Sequence, residues 1–291
     1  MNNIVGFLTY WLKFLRHPRA ITLRRRSAAL GDNLLLSCVA REIKRDNPAQ
    51  CVLVETSWPE LFAHNPHVDG VFAQKAALRY HKLKYLITPA THEHLIDQMI
   101  RQIPLPLASW ERRLDLYYPA AAVDSVLTGL PAQYLVINPS GKTTHAANRK
   151  EWGVDNFHAL RLRLAQFPVV QVGDRATPLL PNTIDRRGTT ILETAHLIRH
   201  ALTGVFLEGG LMHVANAVAT PSVIIYGGYL RPAISGYAMH QNIFTNPPCS
   251  PCCTSEAALP PCPSMECMRL ISVEQVLAAV MRLIAAHPVR V

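Results

Sequence analysis

The sequence predicts an α/β protein built from two doubly wound halves, and three observations lead there. Short apolar runs alternate with helical patterns along most of the 291 residues, as parallel layers of strands and helices require. Glycine punctuates the strand-to-helix junctions, at Leu30-Gly31-Asp32, Asn138-Pro139-Ser140-Gly141 and Glu208-Gly209-Gly210. Between the halves, the pattern weakens over 76–118, and a small-residue stretch over 120–131 reads as a linker.

Residues 21–29 read as the first strand, although three successive arginines stand at its end, and 32–45 carry Leu35, Leu36, Val39 and Ile43 at helical spacing. Asn47-Pro48 ends that helix. A second strand follows at 50–55, a short helix at 58–64, a third strand at 68–73 and a helix at 92–103. The second half opens with the buried-strand run 134–138. Helices at 154–166, 189–202, 211–219 and 272–286 alternate with strands at 169–172, 204–207 and 222–226. This organisation predicts a basic amphipathic helix over 1–20, one Rossmann-like domain over 21–125 and a second over 130–291. In such sheets, ligands bind at the carboxyl ends of the strands.

The formal net charge is +9. Lys13, Arg16, Arg19, Arg24, Arg25 and Arg26 contribute six of those charges before any acid occurs. The apolar run within 1–17 falls short of the roughly 20 residues a spanning helix needs. Its charges follow the apolar run, unlike those of a signal peptide. Two readings remain: an interfacial helix docked on anionic lipid, or a terminal helix packed on the protein's own surface. No nucleic-acid-binding module is present, so nucleic acid is not expected as a partner.

Four segments carry chemistry. Asp32, beside Gly31 at the start of a helix, is a candidate base; helix capping is the simpler role for an Asp there. Ser140, Gly141, Thr143 and Thr144, with Lys150 close behind, offer backbone N–H groups, hydroxyls and a cation to a phosphate. Gly141-Lys142-Thr143 mimics the end of a P-loop, but position 136 is Val136, which excludes that motif. Glu208, Gly209, Gly210 and His213 combine a phosphate-ready turn with an acid suited to sugar hydroxyls; the alternative for His213 is a satisfied buried histidine. Five of the seven cysteines fall between Cys249 and Cys267. Cys249 and Cys252 form a C-x-x-C pair that, with Cys262 and Cys267, could hold a structural zinc or iron. Reduced thiols packed in a loop are the rival reading.

In this order the motifs resemble those of glycosyltransferase family 9, the lipopolysaccharide heptosyltransferases. The matching segments are Arg26 through Leu30-Gly31-Asp32, Lys150-Glu151-Trp152, and the run from Glu208 through Gly210-Leu211-Met212-His213 and Pro221 to Tyr226-Gly227. The ending, Cys249 to Cys252, Cys262-Pro263 and Cys267-Met268, is similar to that of heptosyltransferase II. The resemblance implies a GT-B architecture of two Rossmann-like domains facing a cleft, here with a shortened N-terminal domain. It implies inverting transfer of heptose from an ADP-sugar to a hydroxyl of a lipopolysaccharide core, another cell-surface glycan or a protein, at the cytoplasmic face of the inner membrane. Asp32 would then be the base. Lys150, the 140–144 loop and the Gly209-Gly210 turn would neutralise the departing diphosphate, Glu208 would hold the donor sugar, and no catalytic cofactor would be needed. Glu208 stands where the family usually has Asp, and Asp174-Arg175 where it places the acid that holds the nucleoside, so Asp174 is the candidate for that contact. The alternatives are a different nucleotide sugar, or a catalytically silent GT-B-like protein that only binds one.

Overall fold

The computed structural model describes residues 2–73, 77, 79–141, 146–253 and 259–286. The chain divides into two compact units, one of residues 1–85 and 94–119, the other of 86–93 and 120–291.

The first unit begins with helix α1 (Asn2–Arg16), strand β1 (Ile21–Arg25) and helix α2 (Leu30–Asp46). Strands β2 (Val52–Thr56), β3 (Gly70–Phe72) and β4 (His81–Lys82) and helix α3 (Leu95–Ile100) follow. Its four strands are all parallel, in the order β3-β2-β1-β4. The expected helix over 92–103 shortens to α3, and β4 was not foreseen because two paired residues leave no periodic signal. No strand forms over 109–117. That stretch is instead tied to α2 by buried Arg41, which donates to the carbonyls of Glu111 (2.9 Å) and Arg113 (2.7 Å) and pairs with Asp115. A cation reaching backbone carbonyls gives no sequence pattern, which is why 76–118 reads as irregular.

Helix α1 joins this unit rather than standing apart. Tyr10, 1% exposed, stacks on Phe14 with centroids 5.9 Å apart and meets Phe72 edge-on at 5.3 Å. Cys51, Leu53 and Ala77 complete the cluster, and Lys13 donates to the Asp69 carbonyl. The described side chains of α1 therefore pack on the protein's own surface, while Leu12 and Leu15 stay 59% and 69% exposed. Three of the early arginines form internal ion pairs. Arg24 meets buried Glu55 at 2.7 Å, Arg25 meets Asp32 at 2.9 Å, and Arg26 lies 4.0 Å from Glu55. That pairing explains how β1 tolerates its terminal arginines. Among the described residues no helix is long and apolar enough to cross a membrane.

The second unit contains strands β5 (Leu135–Ile137), β6 (Val169–Gln171), β7 (Ile184–Asp185), β8 (Thr203–Leu207), β9 (Ser222–Ile225) and β10 (Gln241–Ile243). Its helices are α4 (Val154–Arg163), α5 (Ile191–His200), α6 (Gly210–Ala217), α7 (Pro232–Ser235), α8 (Glu266–Arg269) and α9 (Val273–Ala286). The sheet order is β10-β9-β8-β5-β6-β7, all parallel. Leu135, Ile137, Val205, Leu207, Val223 and Ile225 form one buried face with Phe157 and Leu160 of α4 and with Val276, Ala279, Val280 and Leu283 of α9. Period-two alternation turns Val136, Phe206 and Ile224 to the other face. Trp152 is locked into the first face, 3% exposed, with its ring N–H on the Ile271 carbonyl at 2.9 Å and Phe157 edge-on at 5.0 Å. Replacing Trp152 by Ala is expected to lower unfolding stability by about 3–5 kcal/mol. Urea denaturation monitored by circular dichroism checks this.

Candidate functional site

Both sheets reverse strand order at one place. In the first, β1 lies between β2 and β4; in the second, β5 lies between β6 and β8. Loops leaving neighbouring strands diverge at such a point and open a crevice at the carboxyl edge. Asp32 lies beside the first of these points and Lys150 and Glu208 beside the second.

In the second unit, β5 runs into Asn138–Gly141 and β8 runs into Glu208-Gly209-Gly210. Between them stands a 3-10 turn, Ala147–Lys150. Lys150 Nζ lies 2.5 Å from Glu208 Oε2, with side chains 17% and 6% exposed, and 5.1 Å from the centre of the Tyr229 ring. Burial, and secondarily the Glu208 charge, push the Tyr229 phenol up to about 12, so it stays neutral. Gly209 precedes α6 with no side-chain cap, and a Cβ there would meet nothing within 4 Å. The start of α6 thus has no capping side chain and follows closely on the Lys150–Glu208 pair, an arrangement suited to a diphosphate.

Glu151, the middle residue of Lys150-Glu151-Trp152, was not singled out from sequence. Its Oε1 accepts the Gly141 N–H at 2.9 Å and so fastens the first loop. Burial raises its pKa, with the Gly141 hydrogen bond opposing. The only sequence signal was its place inside that motif. Ser140 stays local: its hydroxyl lies 3.4 Å from the Gly141 carbonyl oxygen. Thr143 and Thr144 lie outside the described residues. Asp174 is exposed and accepts the Ala176 N–H at 2.8 Å, closing its own turn. His213 is 5% exposed, with Nδ1 2.5 Å from the Tyr237 hydroxyl. That is the satisfied buried histidine of the alternative reading.

In the first unit, Asp32 is the third residue of α2, and the helix is capped at Ala29 without a side-chain bond. Asp32 is therefore not the cap. Its carboxylate takes Arg25 Nη2 at 2.9 Å on one oxygen and the Tyr85 hydroxyl on the other. Arg25 comes from the end of β1, and Tyr85 lies just beyond β4. Burial is the largest influence on Asp32 and by itself would raise its pKa. The Arg25 charge, with hydrogen bonds from Tyr85, Ser27 and Arg25, outweighs it, and the net shift is downward. Asp32 is ionised at neutral pH. Neither Arg25 nor Tyr85 could be picked out from sequence: the first was one of three arginines, the second an isolated tyrosine.

The cysteine loop borders the second-unit crevice. Cys249 is exposed, while Cys252 donates through its backbone N–H and its thiol to the Gly228 carbonyl, at 2.8 and 3.3 Å. The Cys262 sulfur lies 3.7 Å from the Ser264 hydroxyl, and Cys267 is buried. Among the described residues no three His, Cys, Asp or Glu side chains stand where they could hold one ion. The arrangement of Cys249, Cys252, Cys262 and Cys267 does not itself fit a metal.

The model of glycosyltransferase family 9 (heptosyltransferase) matches residues 186–262. Residues 186–262 take in the Glu208–His213 turn and the start of the cysteine loop, two of the segments that carried the resemblance. No curated protein matches the sequence. Among solved structures, the chain is similar to E. coli ADP-heptose lps heptosyltransferase II, at 14% identity and TM-score 0.68, covering 92% of this chain and 100% of that one. It is also similar to TibC, an iron-containing dodecameric glycosyltransferase from enterotoxigenic E. coli, at 19% identity and TM-score 0.70, covering 92% and 77%. The complex of TibC with ADP-D-β-D-heptose matches at 16% identity and TM-score 0.68, covering 92% and 76%. At these identities the likeness concerns the fold, and it agrees with the Rossmann-like GT-B class expected from the sequence.

Because the folded pKa of Asp32 is depressed below 3.8, its interactions stabilise the protein fully above the unfolded pKa of about 3.9 and are lost as pH falls through the folded value. Asp32→Asn is therefore expected to be less stable than wild type at pH 6, with the gap closing at lower pH. Urea midpoints measured from pH 6 to pH 2.5 check this; a gap independent of pH would remove the ion-pair account.

Proposed function

We propose that the protein transfers a heptose from an ADP-sugar to an acceptor hydroxyl with inversion at the anomeric carbon. The observation that carries the reading is the Lys150–Glu208 pair at the β5/β8 crevice, beside the open N-terminus of α6. That a neighbour of the same fold is described in complex with ADP-D-β-D-heptose supports the choice of donor.

The acceptor oxygen attacks the anomeric carbon from the side opposite the diphosphate, and the bond from that carbon to the diphosphate oxygen breaks. Charge grows on the departing ADP, where Lys150 and the α6 N–H groups neutralise it in place. Those groups supply the charge compensation that a divalent ion would otherwise provide. Glu208 shares its ammonium partner with the diphosphate and turns toward the sugar hydroxyls. Asp32 takes the acceptor proton. Its low pKa suits this role because the proton becomes strongly acidic only as the new bond forms, so a weak base that is always ionised suffices. The acceptor is a hydroxyl of a lipopolysaccharide core, another surface glycan or a protein.

Exposed Leu12, Leu15, Arg16 and Arg19 support peripheral attachment to the inner membrane from the cytoplasm, with each cation near an anionic surface contributing about 1 kcal/mol. The iron-containing neighbour, together with the C-x-x-C spacing, supports carrying the zinc or iron expectation to loop 249–267. The loop would have to rearrange to bind it.

In a thermal-shift screen of nucleotides, ADP is expected to raise the unfolding midpoint most. A larger effect of UDP or GDP would assign a different donor, and binding without turnover on any acceptor extract would leave a silent sugar-nucleotide binder. Asp32→Asn is expected to abolish ADP release from donor plus acceptor while sparing ADP affinity. Arg25→Gln is expected to move the acid limb of activity to higher pH, because losing the cation raises the Asp32 pKa. Full activity in Asp32→Asn would discard the base. Elemental analysis of anaerobically purified protein is expected to give about one zinc or iron per chain, and none would end the metal proposal. Vesicles containing phosphatidylglycerol are expected to sediment the wild type and not Leu12→Glu/Leu15→Glu.

A further inference from the structure

Four consecutive residues, Asn148 to Glu151, tie to three segments at the carboxyl edge of the second sheet, the first two of them to the cysteine loop. Asn148 Nδ2 donates to the Cys262 carbonyl at 3.0 Å, and its Oδ1 accepts the Cys262 N–H at 2.7 Å. Arg149 donates from Nη1 to the Pro260 carbonyl. Lys150 meets Glu208 after β8, and Glu151 holds the Gly141 N–H after β5.

The turn carrying these residues is poorly determined by itself. It is a short 3-10 turn, and it begins with Ala147 at φ 49°, a left-handed conformation that a residue with a Cβ seldom adopts. Outside contacts must hold it. One is steric: a Cβ at Gly227 would lie 1.9 Å from the Arg149 carbonyl oxygen, so the glycine after β9 lets the turn sit against the sheet edge. Another is Asn148, whose amide N–H and carbonyl both bond the backbone of one residue of the cysteine loop, much as a strand partner would. The loop is itself seated on the same edge, through Cys252 on the Gly228 carbonyl and the Thr245 hydroxyl on the Cys267 carbonyl at 2.7 Å.

We infer that Asn148 is a positioning residue: by clipping the turn to Cys262, it transmits the seating of the cysteine loop to the ammonium of Lys150. The inference rests on the reading of Lys150 as the diphosphate-binding cation. The loop therefore acts on the donor site through hydrogen bonds already made in the polypeptide, independently of any metal.

A double-mutant cycle on the full chain tests it, with ADP as the probe in titration calorimetry. Asn148→Ala is expected to weaken ADP binding roughly tenfold in the wild-type background and to add nothing in the Lys150→Ala background. Asn148→Asp retains the acceptor for the Cys262 N–H, loses the donor, and is expected to fall between; it serves if the alanine variant fails to fold. Equal weakening by Asn148→Ala in both backgrounds would mark a general structural role and overturn the inference. So would unchanged ADP affinity in Asn148→Ala while Lys150→Ala weakens it, an outcome that leaves the donor site intact. If Lys150→Ala itself leaves ADP affinity unchanged, the donor reading falls and the inference with it.

Discussion

The contact between Lys150 and Glu208 organises the second unit's functional edge. It joins the turn that follows β5 in sequence to the end of β8, next to it in space, at the point where the strand order reverses. A largely buried pair of this kind contributes little net stability, since the desolvation of both ions offsets much of their attraction. Its consequence is placement. The ammonium is held near the start of α6 by a contact made within the polypeptide itself.

The first unit repeats the logic with the opposite sign. There the carboxylate of Asp32 is the group on offer, and the end of β1 and the residue beyond β4 supply Arg25 and Tyr85 to keep it ionised and oriented. One residue earlier on β1, Arg24 bonds buried Glu55 at the end of β2. The run of three arginines, which looks from the sequence like surface charge, is thus largely internal bookkeeping between strand ends.

The recognisable motifs turn out to mix two kinds of residue. In Lys150-Glu151-Trp152 the tryptophan is a core anchor, the lysine faces the crevice, and the glutamate braces a loop. In Gly210-Leu211-Met212-His213 the glycine opens the helix, while Met212 and His213 are buried, bonded to Tyr226 and Tyr237. In each motif, residues that anchor the chain in the core and a residue that lies at the sheet edge are neighbours on one turn.

By itself the sequence determined the alternation of strands and helices, the glycine junctions and the family resemblance, because these depend on local periodicity and on backbone freedom at single positions. It marked Asp32, Lys150 and Glu208 as candidate site residues through the same junctions and that resemblance. It did not determine the short strands β4, β7 and β10, whose two or three residues take their conformation from a neighbouring strand. Nor did it separate Asp32 as cap from Asp32 as ion-pair partner, or His213 as ligand from His213 as buried partner of Tyr237. Those choices turn on what lies opposite each side chain, and Arg25, Tyr85, Tyr237 and Cys262 are brought there only when the sheet edges assemble.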